Sequence, residues 1–428
     1  MHRVRTAIPY YKRFGWTPTV LAITPESSGA VSDAVLAKSV PPDVGVVQVT
    51  AWDERRCRRL GFGQLAYRSL LPLYRAGSAL LERGRYDVVL FSSTVFLSFI
   101  LGPLWARRYG CKLVYDFQDP WYREQLNFTR ATAPGSWWKY RVDHWSARYL
   151  EKFAIKSADH IISVSAGYVR DFMKRYAWLD ASKFTVLPFA AATEDYAFLR
   201  MHGIEHGIFQ PDSALVRWVS AGRAGPDMDP ILAVLFEATA QMTINDPRYA
   251  ERLRLHFVGT NYAPPERTYK LVEPLARRFG VQNLVEEHPT RVPYFQALAL
   301  YAQSDAVLLI GSLSADYTAS KLFNCIMSKK PVLALFHRSS LVAEIARGFP
   351  NVFLATFEQS PTEPEFHAQV RKGIEWLRAP KFDASVIEEK LEPWSAEELT
   401  RRQCAIFDEV CGVTPTPRAE RGASDARS

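Results

Sequence analysis

The stretch LIGSLSADYTASKLFNCIMSKKPVLALFH, which runs from Leu309 to His337, decides the fold of this chain. It joins the end of one apolar run, AVLLIGS, to the next, PVLALFH, through a polar loop and a short helical segment. Apolar runs that do not alternate strictly with polar residues are typical of parallel strands covered by helices on both faces. Such sheets bind ligands beyond the carboxyl ends of their strands. The stretch therefore predicts a doubly wound sheet with a ligand site in the polar loop.

The same alternation of apolar runs and amphipathic stretches extends along the chain. It is interrupted around residues 191–213 by a segment without a strong period, which contains Gly203, Gly207 and Pro211. We therefore predict an α/β fold of two Rossmann-like doubly wound domains, residues 1–195 and 213–395. The predicted strands lie in TPTVLAIT, VGVVQVTA, DVVLFSST, KLVYDFQ, HIISVS, FTVLPFA, LVRWVSAG, LRLHFVGT, NLVEEHP, AVLLIGS, PVLALFH and NVFLATF.

The two ends of the chain depart from this pattern. The segment SAEELTRRQCAIFDEVC predicts a C-terminal helix over residues 396–411, because Ser395 followed by Glu398 is a capping-box pattern. Residues 412–428 are rich in Pro, Arg and Ser and are predicted to be disordered. The opening MHRVRTAIPYYKRFGW has helical spacing up to Gly15, whereas a doubly wound domain normally opens with a strand and a glycine-rich turn. Either the first strand of the N-terminal domain is missing or the start is misplaced; the second is favoured, because an absent central strand leaves backbone groups unpaired.

The composition is that of an ordinary globular protein. Of 428 residues, 48% are hydrophobic and 23% charged, and the formal charge is +8. This charge suits an anionic partner such as a nucleotide or anionic lipid, although a solvated basic surface also explains it. The five cysteines have neither zinc-site nor disulfide spacing, and no apolar run approaches the ~18 residues of a membrane span. We therefore expect a cytoplasmic protein.

Polar residues follow two predicted strands of the second domain. After VRWVSA, Gly222 permits a close backbone approach to a ligand, and Arg223 has the geometry to bind a phosphate with two hydrogen bonds. An interdomain salt bridge is the alternative for Arg223. In the opening stretch, Ser320 and Lys321 stand where a helix is predicted to begin, and a lysine there is unfavourable unless an anion is bound. A solvated surface position is the alternative for Lys321.

Two further polar residues of the opening stretch flank these positions. Asp316 lies in the loop, and Asn324 lies in the first turns of the predicted helix. The two side chains can therefore converge on one ligand. Together with Gly222, Arg223, Ser320 and Lys321 they form the predicted ligand site of the second domain.

The first domain offers a carboxylate site in VYDFQDPWYRE. Asp116 and Asp119 follow an apolar run there, and a carboxylate in that place can act as a base or bind a sugar hydroxyl. The alternative for Asp119 is a helix cap or an arginine pair. No phosphate loop, zinc-protease motif or nucleophile elbow occurs in the sequence. Single histidines on or beside strands are more consistent with packing than with metal ligation; these are His256, His288 and His337.

In this order the motifs resemble retaining glycosyltransferases of the GT-B fold, and in particular glycosyltransferase family 4. The stretch from Leu309 resembles the family's donor-site segment, often S-K-x-x-E-x-x-A-x-G-x-P-V. VLPFA resembles the interdomain segment, and VYDFQDPW resembles the stretch D-x-R-D-x-W. The resemblance implies two Rossmann-like domains that face each other across a cleft. It also implies a nucleotide-sugar donor held by the second domain and an acceptor held by the first.

The resemblance also implies roles for residues on the donor side. Arg223 and Lys321 would neutralise the donor diphosphate without a metal or other cofactor. Asp316 and Asn324 fall at the two acidic positions of the family's E-x7-E motif, near the transferred sugar and the ribose. Both positions depart from the motif, because the first carboxylate is one methylene shorter and the second is an amide.

On the acceptor side, the resemblance assigns four residues. Gln118 stands where some members have a catalytic-site His or Arg, and Asp119 matches the family's carboxylate. Asp116 and Trp121 complete the acceptor-side motif. With Asp316 and Lys321, Asp119 is a candidate catalytic residue.

The acceptor is predicted to be a saccharide or a lipid-linked molecule. ATAPGSWWKYRVDHWSARYLEKFAIK interleaves aromatic and basic residues, which suits an anionic membrane surface, although core packing explains the aromatics as well. No nucleic-acid-binding module is present. We expect a glycosyltransferase that is cytoplasmic and able to associate with a membrane. The alternatives are a GT-B-like sugar-nucleotide epimerase and a non-catalytic GT-B partner subunit.

Overall fold

The computed structural model describes residues 2–28, 33–122, 137–210, 214–263 and 265–413. The predicted disordered tail falls outside them from residue 414 onwards. Each of the predicted apolar runs contains a strand: β1 (Thr19–Ile23), β2 (Gly45–Val49), β3 (Val88–Ser92), β4 (Lys112–Phe117), β5 (His160–Ser163), β6 (Phe184–Val186), β7 (Val216–Ala221), β8 (Leu253–Val258), β9 (Val285–His288), β10 (Ala306–Ile310), β11 (Val332–His337) and β12 (Val352–Phe357).

Helices connect these strands, as right-handed crossovers between parallel strands require. The α-helices are α1 (His2–Ala7), α2 (Pro25–Ser28), α3 (Ala34–Ala37), α4 (Glu54–Arg59), α5 (Leu65–Arg83), α6 (Leu101–Tyr109), α7 (Trp137–Lys156), α8 (Ala166–Arg175), α9 (Thr193–Met201), α10 (Asp229–Asn245), α11 (Pro247–Arg252), α12 (Val272–Arg278), α13 (Tyr294–Gln303), α14 (Leu322–Met327), α15 (Leu341–Ala346), α16 (Pro364–Arg378), α17 (Ile387–Leu391) and α18 (Ala396–Cys411). Short 3-10 helices lie at Tyr11–Phe14, Phe96–Ile100, Ala181–Lys183, Pro265–Arg267 and Glu392–Trp394. Within the described residues, no helix combines the length and the apolar character that a membrane crossing needs.

The C-terminal domain contains one six-stranded parallel sheet in the order β12-β11-β10-β7-β8-β9. One face packs against α10, α12 and α16, and the other packs against α13, α14 and α15. Because both faces are covered, the strands are apolar throughout, as the sequence predicts. The chain order reverses between β7 and β10, so the loops that follow these two strands start side by side. Such a switch point is where doubly wound sheets bind ligands.

The N-terminal sheet is divided into two parts. β1 pairs with β2, and β3 pairs through β4 and β5 to β6, but within the described residues no ladder joins β1 to β3. Both strands nevertheless border the same two cores, one through Val20 and Val88 and the other through Leu21 and Val89. The gap between β1 and β3 is the place of the innermost strand in a doubly wound sheet. Within the described residues, the N-terminal domain therefore contains two separate parallel ladders.

Two chain segments cross between the domains side by side. Ala191 accepts a hydrogen bond of 2.9 Å from the backbone of Ala396 and donates one of 2.8 Å to Trp394. After this crossing, α18 packs on the N-terminal domain, where Phe407 contacts Tyr11 and Trp16. The C-terminal helix therefore belongs to the core of the first domain. The connecting helix α9 packs instead on the core of the second domain.

Local details differ from the sequence expectations at two helix starts. The helix after the donor-site loop begins at Leu322, with Lys321 at its N-cap, rather than near Ser320. At α18, Ser395 accepts a 3.1 Å hydrogen bond from the backbone of Glu398, as expected. The Glu398 side chain does not complete a capping box, because Arg401 and Arg402 bind its carboxylate.

Candidate active site

The loops after β7 and β10 bring Lys321 against Gly222. Gly222 has a φ of 141°, and a Cβ atom on it would lie 2.7 Å from the Lys321 ammonium. Only glycine combines that backbone conformation with the space that the ammonium occupies. Gly222 and Lys321, which follow two different strands in the sequence, thus meet at the switch point.

Lys321 is half-buried. Burial is the main cause that lowers the pKa of Lys321 to about 8, and the nearby guanidinium groups of Arg223 and Arg291 contribute to the shift. Among the described residues, no carboxylate contributes to this pKa shift. A cation surrounded by cations and partly removed from water favours an anionic ligand.

Arg223 already has a partner within its own domain. It donates two hydrogen bonds, of 2.9 and 2.7 Å, to the carboxylate of Asp227, and its guanidinium lies 5.2 Å from the ring centre of Tyr317. The hydrogen bond to Asp227 is the main cause that raises the pKa of Arg223. The partner is therefore a residue four positions along the chain and not one in the other domain. The pair leaves the guanidinium oriented and partly neutralised.

Arg291 is a third cation at this site, and the sequence analysis missed it. It follows β9 by three residues, lies 4.6 Å from the ring centre of Tyr262, and has its backbone beside Gly259. Its signal in the sequence was position alone: the carboxyl end of β9 lies at the same sheet edge as those of β7 and β10. Arg291 follows the carboxyl end of a strand, as Arg223 does, so its position in the sequence already indicated a site residue.

Asp316 contacts the N-terminal domain across the cleft. Its carboxylate lies 3.4 Å from Arg170, and a Cβ atom on Gly167 would overlap its Oδ1. Both residues belong to α8, whose N-terminus is capped by Ser165. The partial positive charge of a helix N-terminus favours a carboxylate there. In this conformation the cleft is closed at Asp316.

The chain resembles known proteins along almost its whole length. Residues 2–190 match the family model of the glycosyl transferase 4-like domain. No curated protein matches the sequence. Solved structures of glycosyltransferases align with the full length of both domains. The chain is a GT-B glycosyltransferase that resembles family 4.

Three solved structures illustrate the likeness. A glycosyltransferase from Rickettsia africae is 14% identical, with 96% of this chain and 94% of that chain covered and a TM-score of 0.56. HepE of Anabaena, solved in complex with UDP, is 16% identical, with 95% and 94% covered and a TM-score of 0.56. An α,α-trehalose-phosphate synthase (UDP-forming) from Burkholderia vietnamiensis is 12% identical, with 93% and 99% covered and a TM-score of 0.61. At these identities the likeness establishes the fold, and the predicted GT-B arrangement is confirmed.

In this glycosyltransferase, Asn324 belongs to a buried polar network that joins the two domains. Its Oδ1 lies 3.2 Å from the hydroxyl of Tyr294, which also lies 2.7 Å from the carboxylate of Asp195. Arg5 of α1 binds the same carboxylate through hydrogen bonds of 2.8 and 2.6 Å. The side chain of Asn324 is thus part of a structural network between the domains. Ser320, by contrast, is exposed at the surface beside the loop.

On the acceptor side, Asp116 is fully buried and bound by its own domain. Its carboxylate lies 2.9 Å from Nε of Arg3 and accepts hydrogen bonds of 2.6 Å from Ser92 and 3.0 Å from Gln118. Arg3 also donates to the backbone oxygen atoms of Leu187 and Pro188, next to the interdomain crossing. Asp116 and Gln118 therefore support the interior of the domain in this conformation. The sequence analysis assigned Asp116 and Asp119 to one carboxylate site, but Asp116 is buried and Asp119 is exposed.

The remaining acceptor-side residues lie nearer the surface. Asp119 is exposed just beyond β4. The ring of Trp121 stacks on Phe96, with the ring centres 5.8 Å apart. Asp119 is thus the exposed carboxylate of this motif, and Asp116 is the buried one.

Proposed function

We propose that this glycosyltransferase moves a sugar from a nucleoside-diphosphate donor to a saccharide or lipid-linked acceptor, with retention at the anomeric carbon. The observation that carries the proposal is the convergence of Lys321, Arg223 and Arg291 at the carboxyl edge of one sheet. These side chains come from loops after three different strands. UDP and glucose in the solved structures of HepE support a nucleotide-sugar as the donor.

The three cations suit the charge that develops during transfer. When the bond between the anomeric carbon and the diphosphate oxygen breaks, negative charge accumulates on the leaving diphosphate. Preorganised cations in a water-poor cleft stabilise that charge without reorganisation during the reaction. Lys321 and Arg291 are the cations of the group that have no carboxylate partner of their own among the described residues, so they would contact the diphosphate directly. In this proposal they supply the positive charge, and no metal ion takes part.

Asp119 is the proposed base on the acceptor side. It is the exposed carboxylate at the carboxyl end of β4, where an acceptor hydroxyl would approach from the first domain. Asp316 would lie near the transferred sugar, because it reaches across the cleft to α8. Entry of the donor then requires the contact between Asp316 and Gly167 to open, and closure afterwards would exclude water.

A transfer assay tests the proposal. The full chain is incubated with a panel of UDP-, GDP- and ADP-sugars, with and without a mixture of saccharide and lipid-linked acceptors, and release of the nucleoside diphosphate is measured. We expect release that depends on both a donor and an acceptor, with a product of unchanged anomeric configuration by NMR. Acceptor-independent conversion of the sugar would instead identify an epimerase. Absence of any nucleotide affinity, together with binding to a second glycosyltransferase, would identify a partner subunit.

The exposed face of α7 supports a lipid-linked acceptor. Val142, Trp145, Tyr149 and Phe153 are between 47% and 64% exposed and follow one another at helical spacing. The rings of Trp145 and Tyr149 lie 4.5 Å apart. Exposed basic residues border this stripe, namely Arg141, Arg148 and Lys152. An aromatic stripe with a basic border is typical of a helix that lies on an anionic membrane. The aromatic residues of this face therefore lie at the surface and do not fill a core. The side chain of Trp138 is not among those that the structure describes.

Removal of the two stacked rings is expected to weaken membrane binding. The variant Trp145→Ala/Tyr149→Ala should bind vesicles of phosphatidylglycerol and phosphatidylcholine at least about tenfold more weakly, because burying one large apolar side chain is worth roughly 1.5–3 kcal/mol. Co-sedimentation at several lipid concentrations measures the change. Trp178→Ala is the matched control, since Trp178 is 47% exposed outside the stripe. Equal binding by all three proteins would argue against membrane contact through α7.

A further inference from the structure

The outer strands β8 and β9 of the C-terminal sheet bring three metal-ligating side chains together. His256 on β8 is the register partner of Glu286 on β9, and His288 follows Glu286 by two residues. Side chains two residues apart on a strand point to the same face, so all three share one surface of the sheet. One ligand atom from each residue lies within 4.8 Å of those from the other two. The sequence analysis assigned His256 and His288 to packing, because the pairing of β8 with β9 that brings them to Glu286 is not visible in the sequence.

Three ring nitrogens of the two imidazoles have no hydrogen-bond partner among the described residues. His256 is 2% exposed, and neither of its ring nitrogens has a hydrogen-bond partner. Nε2 of His288 is likewise buried without a partner. Nδ1 of His256 lies 3.4 Å from Oε2 of Glu286, and the two imidazole rings are nearly parallel, with centres 6.2 Å apart. Buried polar atoms without partners are uncommon, because each costs about 1–3 kcal/mol in lost hydration. Both ring nitrogens of His256 and the buried Nε2 of His288 are therefore available to a ligand.

We propose that His256, Glu286 and His288 bind a divalent transition-metal ion, with Zn²⁺ as the best match. Two imidazoles and one carboxylate are a ligand set that zinc accepts, with water in a fourth position. Glu286 is 49% exposed, which leaves an open side for that water and a path for the ion. The ligand atoms of a tetrahedral zinc are about 3.3 Å apart, so the three side chains must move closer than their present separations of up to 4.8 Å to complete the site.

The charges around the group limit how tightly it binds. The positive charges of Arg217 and Arg254 act on His256, and Nε of Arg254 also lies 4.0 Å from the carboxylate of Glu286. Arg217 and Arg254 oppose a divalent cation, whereas Glu286 is the carboxylate that attracts it. We expect an affinity below that of closed structural zinc sites.

The position of the group suggests what the ion does. His288 ends β9, and Arg291 of the proposed donor site follows three residues later. An ion bound to His288 would fix the start of the segment that carries Arg291. It would hold the outer edge of the sheet without contacting the donor diphosphate. The ion is structural in this scheme and takes no part in the transfer step.

Metal binding to the full chain tests the proposal directly. Protein treated with a chelator and then freed of it is titrated with ZnCl₂ in a calorimeter, without nucleotide. We expect one high-affinity ion per chain, and an affinity at least about tenfold lower in Glu286→Gln and in His288→Gln, because loss of a mere outer-shell partner already costs 10–100-fold. Glu286→Gln changes an exposed residue, so it remains informative if substitution of a histidine disturbs folding. Circular dichroism confirms that each variant is folded.

The matched control is His367→Ala. His367 also faces a glutamate, Glu237, at 3.4 Å, but among the described residues no second histidine joins that pair. It should bind zinc as the parent does. Co²⁺ provides a second readout, since a site of nitrogen and oxygen ligands gives a tetrahedral spectrum without a thiolate charge-transfer band. No binding by folded protein, equal affinity in Glu286→Gln, or a thiolate band from one of the five cysteines would overturn the proposal. Because no nucleotide is present, this outcome is independent of the transferase assay.

Discussion

Replacing Lys321 by alanine is expected to weaken binding of UDP by about 30- to 150-fold. A hydrogen bond between two charged groups contributes roughly 2–3 kcal/mol when it is partly removed from water, and each 1.4 kcal/mol is tenfold in affinity. Lys321 has no competing carboxylate among the described residues, so its full interaction is available to the diphosphate. Calorimetry of parent and variant with UDP, the nucleotide found in HepE, measures the difference.

The protonation of Lys321 adds a dependence on pH. Because burial lowers its pKa to about 8, the ammonium loses its proton as the pH rises through that value. UDP affinity should therefore fall between about pH 7 and pH 9, where an ordinary lysine would keep its charge. In Lys321→Arg the charge persists over the whole range, because arginine is always protonated there. The variant should bind more weakly than the parent at pH 7, yet with little change across the titration.

A control separates this effect from a general loss of positive charge. Lys372→Ala removes an exposed lysine from α16, outside the proposed site, and should bind UDP as the parent does. Unchanged UDP affinity in Lys321→Ala would contradict the donor-site assignment. If Lys321→Ala binds weakly but Arg291→Ala binds normally, two cations rather than three hold the diphosphate.

The architecture was predictable because it rests on local pattern. Strands buried on both faces must be apolar throughout, so each appears as a run in the sequence, and βαβ connections allow few arrangements. The meeting of Gly222 with Lys321 follows from the same logic, since β7 and β10 are neighbours at the switch point. What local pattern does not encode is the partner of a long side chain. Arg223 turns to Asp227 within its own loop, a choice that depends on the conformation of the turn.

The first domain shows the same limit more clearly. In the sequence Asp116 stands at the end of a predicted strand, and a carboxylate at that position is expected to bind a ligand. In the structure Arg3 reaches it from α1, over a distance of more than a hundred residues in sequence, and the pair is buried. Similarly, α18 packs on the first domain because Phe407 and other apolar residues of this helix belong to the hydrophobic core of that domain. Such contacts depend on which helices and strands pack together in the folded protein. The hydrophobic periodicity of the sequence does not predict them.

Removal of the Asp195 carboxylate is expected to destabilise the protein by about 3–5 kcal/mol. In Asp195→Ala the guanidinium of Arg5 remains buried but loses both of its hydrogen bonds to the carboxylate, and a charge left alone in the interior carries this penalty. The hydroxyl of Tyr294 loses its 2.7 Å contact in the same step. Chemical denaturation followed by both circular dichroism and tryptophan fluorescence measures the change and shows whether the two domains still unfold together.

Two further variants decide whether the unpaired charge is the cause. In Arg5→Met/Asp195→Leu no buried charge remains, so most of the lost stability should return, as it does when apolar groups replace a buried ion pair. Asp43→Ala breaks the exposed pair of Asp43 with Lys12 in the same domain and should leave the unfolding midpoint unchanged. The network also holds Asn324 through Tyr294. Asp195→Ala should therefore weaken UDP binding even at denaturant concentrations where the variant is still folded. The double apolar variant should regain stability but not the contact that positions Tyr294. If Asp195→Ala unfolds at the same denaturant concentration as the parent, the ion pair does not hold the two domains together, and other contacts such as the interdomain crossing at Ala191 and Ala396 do so.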